Sequence, residues 1–414
     1  MLKPNLDVSE MFVERQAQRS TMHSRHLNEQ LVRVLKTIGY DVGFQKGQGQ
    51  YLYDRDGARY LDLLSGFGVF AIGRNHPTLR DALKSVLDSD LPNLVQLDVS
   101  TLAGVLAERL LEYVPYLDKV FFANSGAETV EAAIKFARGA TGRPGIVYCG
   151  HSYHGLTYGA LSLTDDSNFR TGFEPLLPGC TAVPFNDLAA LEQALSSREI
   201  AAFIVEPIQG KGVNMPSDEF LPGAAALCKK YGTIFIADEI QTGIGRTGKL
   251  LACDYENVHP DILILGKALS GGVTPVSAVF ADDEIMLTIA PGEHGSTYGG
   301  NPLAARVAIA ALEVVRDEHL SENAFEMGIL FRSEMEKIDN PMIRQVRGKG
   351  LLNAVVTEPR GGKAAWDICL ALKEKGLIAK PTHDHIIRFT PPLVIDRDQM
   401  MEAIGIIKDT FAQF

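Results

Sequence analysis

Two segments of the chain end in residues that can do covalent chemistry. Thr233-Ile234-Phe235-Ile236-Ala237-Asp238 is an apolar run closed by a carboxylate, and Asp261-Ile262-Leu263-Ile264-Leu265-Gly266-Lys267 is one closed by an amine. A Gly-rich turn follows each, Gly243-Ile244-Gly245 after the first and Gly271-Gly272 after the second. Short continuous apolar runs read as parallel strands buried on both faces. Open α/β sheets carry their chemistry at the carboxyl ends of such strands. A lysine there is desolvated, which lowers its pKa and frees the amine to attack a carbonyl carbon. A carboxylate facing it across a bound ring can keep a ring nitrogen protonated. These are the two roles that pyridoxal phosphate (PLP) chemistry requires of its protein.

Other strand ends add candidates. Phe121-Phe122-Ala123-Asn124-Ser125-Gly126-Ala127-Glu128 reads as strand, small-residue turn and helix. Ser125, Gly126 and Ala127 then lie where free N–H groups at a helix start can hold a phosphate; a plain serine N-cap is the alternative reading. Tyr153, in Gly150-His151-Ser152-Tyr153-His154-Gly155, can stack on a ring or fill a core, and His154 reads by itself as a satisfied surface histidine. Glu206 closes another strand, as an ion-pair partner or a solvated cap. Gln241 lies one turn beyond Asp238, within reach of a ring oxygen, and Glu239 reads as structural. The loop Gly292 to Pro302 is a phosphate cradle or a tight turn. Arg388 sits in an apolar run, suited either to bidentate carboxylate binding or to a structural ion pair. No His/Asp/Glu cluster has metal-ligand spacing, and no Gly-x-Ser-x-Gly elbow occurs, so neither a metal centre nor a serine hydrolase is expected.

These residues need a scaffold. The chain has 414 residues, enough for two or three domains, and its net charge of −11 disfavours nucleic acid and anionic membranes as partners. No apolar run approaches the roughly 20 residues of a membrane span, and Met1 to Tyr40 is too polar for a signal peptide. Five scattered cysteines without a Cys-x-x-Cys pair point to reduced thiols in a cytoplasmic protein. Residues 8–38 read as helical. Gln50–Asp54 and Arg59–Leu63 flank a hairpin turn. From Pro77 to Ala304 helices alternate with buried-type strands at 119–122, 145–148, 202–205, 234–236 and 262–264, which predicts a mainly parallel sheet covered on both faces. After a helix near 302–316 the pattern becomes α+β, with strands near 350–356 and 386–389 around a helix near 363–375. The expected organisation is a small domain built from both chain ends, 1–74 and 306–414, around a large domain at 75–305.

Ser125-Gly126-Ala127-Glu128, Tyr153-His154-Gly155, Glu206-Pro207-Ile208-Gln209-Gly210, Asp238-Glu239-Ile240-Gln241-Thr242-Gly243, Gly266-Lys267-Ala268-Leu269 and Ser296-Thr297-Tyr298-Gly299-Gly300-Asn301-Pro302 resemble, in order and spacing, the successive motifs of class III PLP-dependent aminotransferases. The resemblance covers about residues 45–414. Its second half is most similar to the ornithine aminotransferase branch, with acetylornithine, GABA and putrescine aminotransferases as neighbours. It implies the α/β architecture of PLP-dependent transferases of fold type I, with a mainly parallel seven-stranded sheet in the large domain beside a small α+β domain. It further implies PLP as cofactor and a homodimer with its sites at the interface. By the same resemblance Lys267 is the Schiff-base lysine and Asp238 the partner of the ring nitrogen. Gln241 approaches the ring hydroxyl and Tyr153 stacks on the ring. Ser125, Gly126 and Ala127 hold the phosphate, joined by Thr297 of the second subunit. Arg388 resembles the arginine that binds the α-carboxylate of glutamate or 2-oxoglutarate, and Glu206 the acid that covers it in the other half-reaction.

The chain departs from the ornithine and acetylornithine enzymes at substrate-facing positions. Leu156 stands where they carry an arginine, Phe67 where family members carry an aromatic hydroxyl, and Thr37, with Tyr40 nearby, where they carry a tyrosine. These departures predict a terminal (ω) amine or aldehyde as one substrate and a 2-oxo acid such as 2-oxoglutarate as the other, exchanged by ping-pong chemistry. Ornithine δ-transamination and a PLP-dependent aminomutase are the alternatives.

Overall fold

The five apolar runs all become strands, and Cys180–Val183 and Ser277–Ala281 complete a seven-stranded sheet. The computed structural model describes residues 7–95 and 97–414. Across the sheet the order is Lys119–Ala123, Ser277–Ala281, Ile262–Leu265, Ile234–Asp238, Ile200–Val205, Gly145–Cys149 and Cys180–Val183. Ser277–Ala281 is antiparallel to both neighbours, and the remaining pairings are parallel. Six strands therefore point their carboxyl ends at the same edge.

Successive strand residues face opposite sides, and here both sides are covered. Val147, Phe203, Phe235 and Leu263 join the core that includes Leu79, Leu106 and the helix Pro302–Asp317. Their neighbours Ile146, Ile204, Ile236 and Ile264 pack with Val130, Ile134 and Phe136 of the helix Gly126–Thr141 on the other face. Double coverage is why these strands read as continuous apolar runs without polar alternation.

Two four-stranded sheets flank this layer. In one, the hairpin strands Tyr51–Asp54 and Arg59–Asp62 pair with each other, Phe44–Gln48 pairs antiparallel with Tyr51–Asp54, and Leu377–Ile378 lies parallel to Arg59–Asp62, so distant parts of the chain share a sheet. Asp54 shapes the hairpin turn by accepting hydrogen bonds from the Asp56 and Ala58 N–H groups, both at 2.9 Å. In the other, Ile343–Lys349, Leu352–Thr357, Ile386–Phe389 and Lys380–His383 pair antiparallel throughout, with Lys380 opposite Arg388. The buried Arg246 ties this sheet to the loop after Asp238, donating to the carbonyls of Leu351 (3.1 Å) and Pro391 (2.5 Å). The helical stretch expected at 8–38 is divided into Val8–Gln16, Arg19–His26 and Glu29–Thr37, the last capped by the Asn28 side chain on the Leu31 N–H at 3.0 Å. No helix among the described residues is long and apolar enough to cross a membrane.

Candidate active site

The shared carboxyl edge opens into a cavity of 670 Å³ lined by Gly126, Ala127, Tyr153, Glu206, Asp238, Gln241 and Lys267 from the large sheet, and by Phe67, Leu156, Lys380 and Arg388. Ten of the twelve residues named from the sequence line it; Ser125 and Thr297 do not.

Lys267 follows its strand with φ at +39°, a left-handed conformation that a non-glycine residue adopts only under constraint. Its amine lies deep in the molecule, open to the cavity. Burial pushes its pKa below the ordinary lysine range; Arg388 acts in the same direction, and Asp238 and Glu206 oppose it. Such an amine is more readily neutral, the form that attacks a carbonyl carbon.

Asp238 ends its strand nearly covered, 3% exposed. One carboxylate oxygen accepts the Ile240 N–H at 3.1 Å and the other lies 2.7 Å from His154 Nδ1. Burial pulls the His154 pKa down, but the hydrogen bond and charge of Asp238, with Glu206, override it and leave it raised. His154 is no surface residue, at 2% exposed. Sequence reasoning missed it because an isolated histidine in a Gly-rich turn carries no spacing signal; only its place just past a buried strand end could have marked it. Gln241 brings its amide to the cavity with Nε2 buried and without a partner among the described residues. Room for it comes from Gly68, at φ +91°, where a Cβ would stand 2.5 Å from that nitrogen.

At the start of the helix Gly126–Thr141, Ser125 is turned away from the cavity. Its N–H donates to the Glu128 carboxylate at 2.7 Å and its hydroxyl accepts the Glu128 N–H at 3.3 Å, a capping box. The donors left for an anion are the N–H groups of Gly126 and Ala127, which have no partner among the described residues. Gly126 is needed there, since a Cβ would lie 2.7 Å from the Ile240 side chain. Thr297 is exposed, in a loop anchored by Ser296, whose hydroxyl accepts from Asn124 Nδ2 and the Gly299 N–H, both at 3.0 Å.

On the opposite wall Arg388 donates to the Gly210 carbonyl at 2.5 Å, and its Nε has no partner. Burial lowers its pKa to about 10. Glu206 forms no ion pair with it in this structure. The Glu206 carboxylate accepts instead from the Tyr153 and Gly210 N–H groups, at 2.9 and 2.7 Å, and burial raises its pKa. Tyr153 sits edge-on to Phe169, with centroids 5.6 Å apart. Phe67, also left-handed at φ +62°, presents its ring to two cations, with Arg388 at 5.7 Å and Lys380 at 5.4 Å from its centroid. Leu156 is half exposed on the cavity wall. Tyr40 lies elsewhere, donating its hydroxyl to the Ala379 carbonyl at 2.6 Å.

A mainly parallel α/β sheet that brings a depressed lysine amine and a carboxylate to one edge, beside a helix start with open N–H groups, defines a PLP enzyme. The chain belongs to the class-III aminotransferases, whose family model matches residues 37–411. It is 47% identical to the mitochondrial ornithine aminotransferase of Rattus norvegicus over 382 residues, 90% of this chain and 87% of the relative. Among solved structures it is similar to the ornithine aminotransferase of Toxoplasma gondii with PLP partially occupying its active site, with a TM-score of 0.87 and 36% identity over 96% of this chain and 97% of that one. It is also similar to the acetylornithine aminotransferase of Elizabethkingia anophelis, with a TM-score of 0.82 and 44% identity over 93% and 99% of the two chains. The protein is thus a PLP-dependent transaminase acting on an amine and a 2-oxo acid. The cavity fits the cofactor: the Gln241 amide nitrogen lacks a partner, the Gly126 and Ala127 N–H groups are open, and a buried carboxylate and a depressed amine face the same space.

Proposed function

We propose that this aminotransferase moves the δ-amino group of ornithine to 2-oxoglutarate in two alternating half-reactions. The 47% identity to an ornithine aminotransferase across 90% of the chain carries this reading. When bound, PLP supplies an aldehyde that takes the amino group and a ring that accepts the electrons of the breaking C–H bond. Lys267 would be the residue that holds the cofactor through its amine, and its lowered pKa suits it to take and return the proton at the substrate carbon. Asp238, itself held by His154, would keep the ring nitrogen protonated. Gln241 would donate to a ring oxygen through its unpartnered amide nitrogen, Gly126 and Ala127 would hold the phosphate through their N–H groups, and Tyr153 would stack on the ring. Arg388 binds the α-carboxylate of the keto acid. Glu206 must leave the Tyr153 and Gly210 N–H groups to neutralise Arg388 while the amine donor is bound. Thr297 serves the phosphate of a second subunit in a homodimer; its exposure outside its own cavity supports that part.

Leu156 and Phe67 favour a second reading, a terminal amine without a carboxylate, because an apolar wall rejects an unpaired charge. The test compares ornithine with 1,4-diaminobutane as donors to 2-oxoglutarate. Higher kcat/KM for ornithine supports the first reading, and the reverse order replaces it with the second.

A further inference from the structure

Arg388 has a neighbour whose charge the roles above leave unanswered. Lys380 lies opposite Arg388 on the adjacent strand, and both side chains reach the cavity. The two cations share the Phe67 ring, at 5.4 and 5.7 Å from its centroid. Lys380 is half-buried. Its ammonium has no carboxylate and no hydrogen-bond acceptor among the described residues, whereas a third cation lining the cavity, Lys211, is ion-paired with Asp166. Burial lowers the Lys380 pKa, and the charges of Arg388 and Lys211 lower it further. Two adjacent cations make no ion pair among the described residues, and one of them is hydrogen-bonded only to a carbonyl, so this wall is electropositive. Leu156, which also lines the cavity, offers no cation.

We propose that Lys380 is the second carboxylate grip of the acceptor site and that, with Arg388, it selects a dicarboxylic 2-oxo acid over a monocarboxylic one. This rests on the reading of Arg388 as the α-carboxylate site. A dicarboxylate brings one charge to each cation, while pyruvate leaves Lys380 uncompensated in a partly desolvated place. Cation–π contact with Phe67 explains why the ammonium is tolerated there but not why it faces open space beside Arg388.

The test is single-turnover amination of 2-oxoglutarate and of pyruvate by the holoenzyme in its amino-loaded form, in wild type, Lys380→Met, Lys380→Arg and Arg388→Ala. Lys380→Met is expected to lower the ratio of kcat/KM for 2-oxoglutarate to that for pyruvate by about tenfold to a hundredfold, the usual effect of losing a charged hydrogen bond. Lys380→Arg should restore most of the ratio, which a merely structural role would not do. An unchanged ratio in Lys380→Met, or equal losses for both acids, overturns the proposal. Arg388→Ala should impair both acids. If it impairs neither, the α-carboxylate reading fails separately from the Lys380 result.

Discussion

His154→Phe removes both ring nitrogens, Nδ1 and Nε2, from the interior and leaves an apolar ring in their place. The phenyl ring is somewhat larger than imidazole, so no cavity forms and any packing cost falls on stability, and Nε2 has no partner to lose among the described residues. What disappears is the 2.7 Å hydrogen bond from Nδ1 to Asp238, between side chains that are 0% and 4% exposed. A hydrogen bond to a charged group is worth about 1.5–3 kcal/mol. If that stabilisation is fully felt while the ring accepts electrons, kcat falls by about tenfold to a hundredfold, because about 1.4 kcal/mol is a factor of ten. Asp238 keeps the Ile240 N–H at 3.1 Å, so the loss should stop short of that in Asp238→Ala. KM for either substrate should change little, since the His154 ring is directed at Asp238. Steady-state kcat for both single variants and the double variant is the assay. Once Asp238 is gone, His154→Phe should cost little more, because the two residues act as a unit. The pH dependence has a definite sign. The folded pKa of His154 is raised, so its stabilisation is fully present below the unfolded value of about 6.5 and is lost as pH climbs through the raised folded value. In cofactor-free protein the melting difference between wild type and His154→Phe should therefore shrink with rising pH. A His154→Phe enzyme with wild-type kcat, or costs that simply add in the double variant, would refute the coupling.

Three further outcomes follow from the same cavity. Borohydride reduction of the holoenzyme and peptide mapping should place the pyridoxyl group on Lys267, with Lys267→Ala lacking turnover; a label on Lys211 or Lys380, which share the cavity, would sink the assignment. Arg388→Ala should slow the keto-acid half-reaction by about tenfold to a hundredfold and the amine half-reaction much less, read by rapid-mixing absorbance; equal losses would remove its acceptor role. Leu156→Arg should raise kcat/KM for ornithine relative to 1,4-diaminobutane by about tenfold, measured with 2-oxoglutarate, and no change in that ratio would show that this wall does not meet the donor's carboxylate.

The central sheet was legible because its inner strands are buried on both faces. Ile262–Leu265 and Ile234–Asp238 have no solvent side to interrupt the apolar run. Cys180–Val183 was missed for the opposite reason: it is an edge strand of four residues whose Thr181 and Ala182 are exposed. Ser277–Ala281 is fully buried, but two alanines and a serine give it too little apolar bulk to mark it as a strand. Ile343–Lys349 was missed because Arg344, Gln345, Arg347 and Lys349 make it read as loop, although it pairs along most of its length with Leu352–Thr357.

The site was legible where one strand delivers one residue, and obscure where two elements share a role. Lys267 and Asp238 each close an apolar run, so sequence order alone places them at one edge. His154 acquires meaning only through Asp238, which lies 84 residues further on, and no local pattern encodes that distance. Lys380 depends in the same way on the pairing with Arg388 across a bulged ladder, a register that the intervening Thr382-His383-Asp384-His385 does not announce. Ser125 shows the converse. Its local signal is strong because it builds a capping box, and that box engages the very donors it was expected to offer a phosphate. The anion-binding capacity of the turn therefore moves to Gly126 and Ala127, whose lack of polar side chains leaves the backbone as the only donor. Strand ends thus announce Lys267 and Asp238, whereas Lys380 and His154 are found only through the pairing of elements distant in sequence.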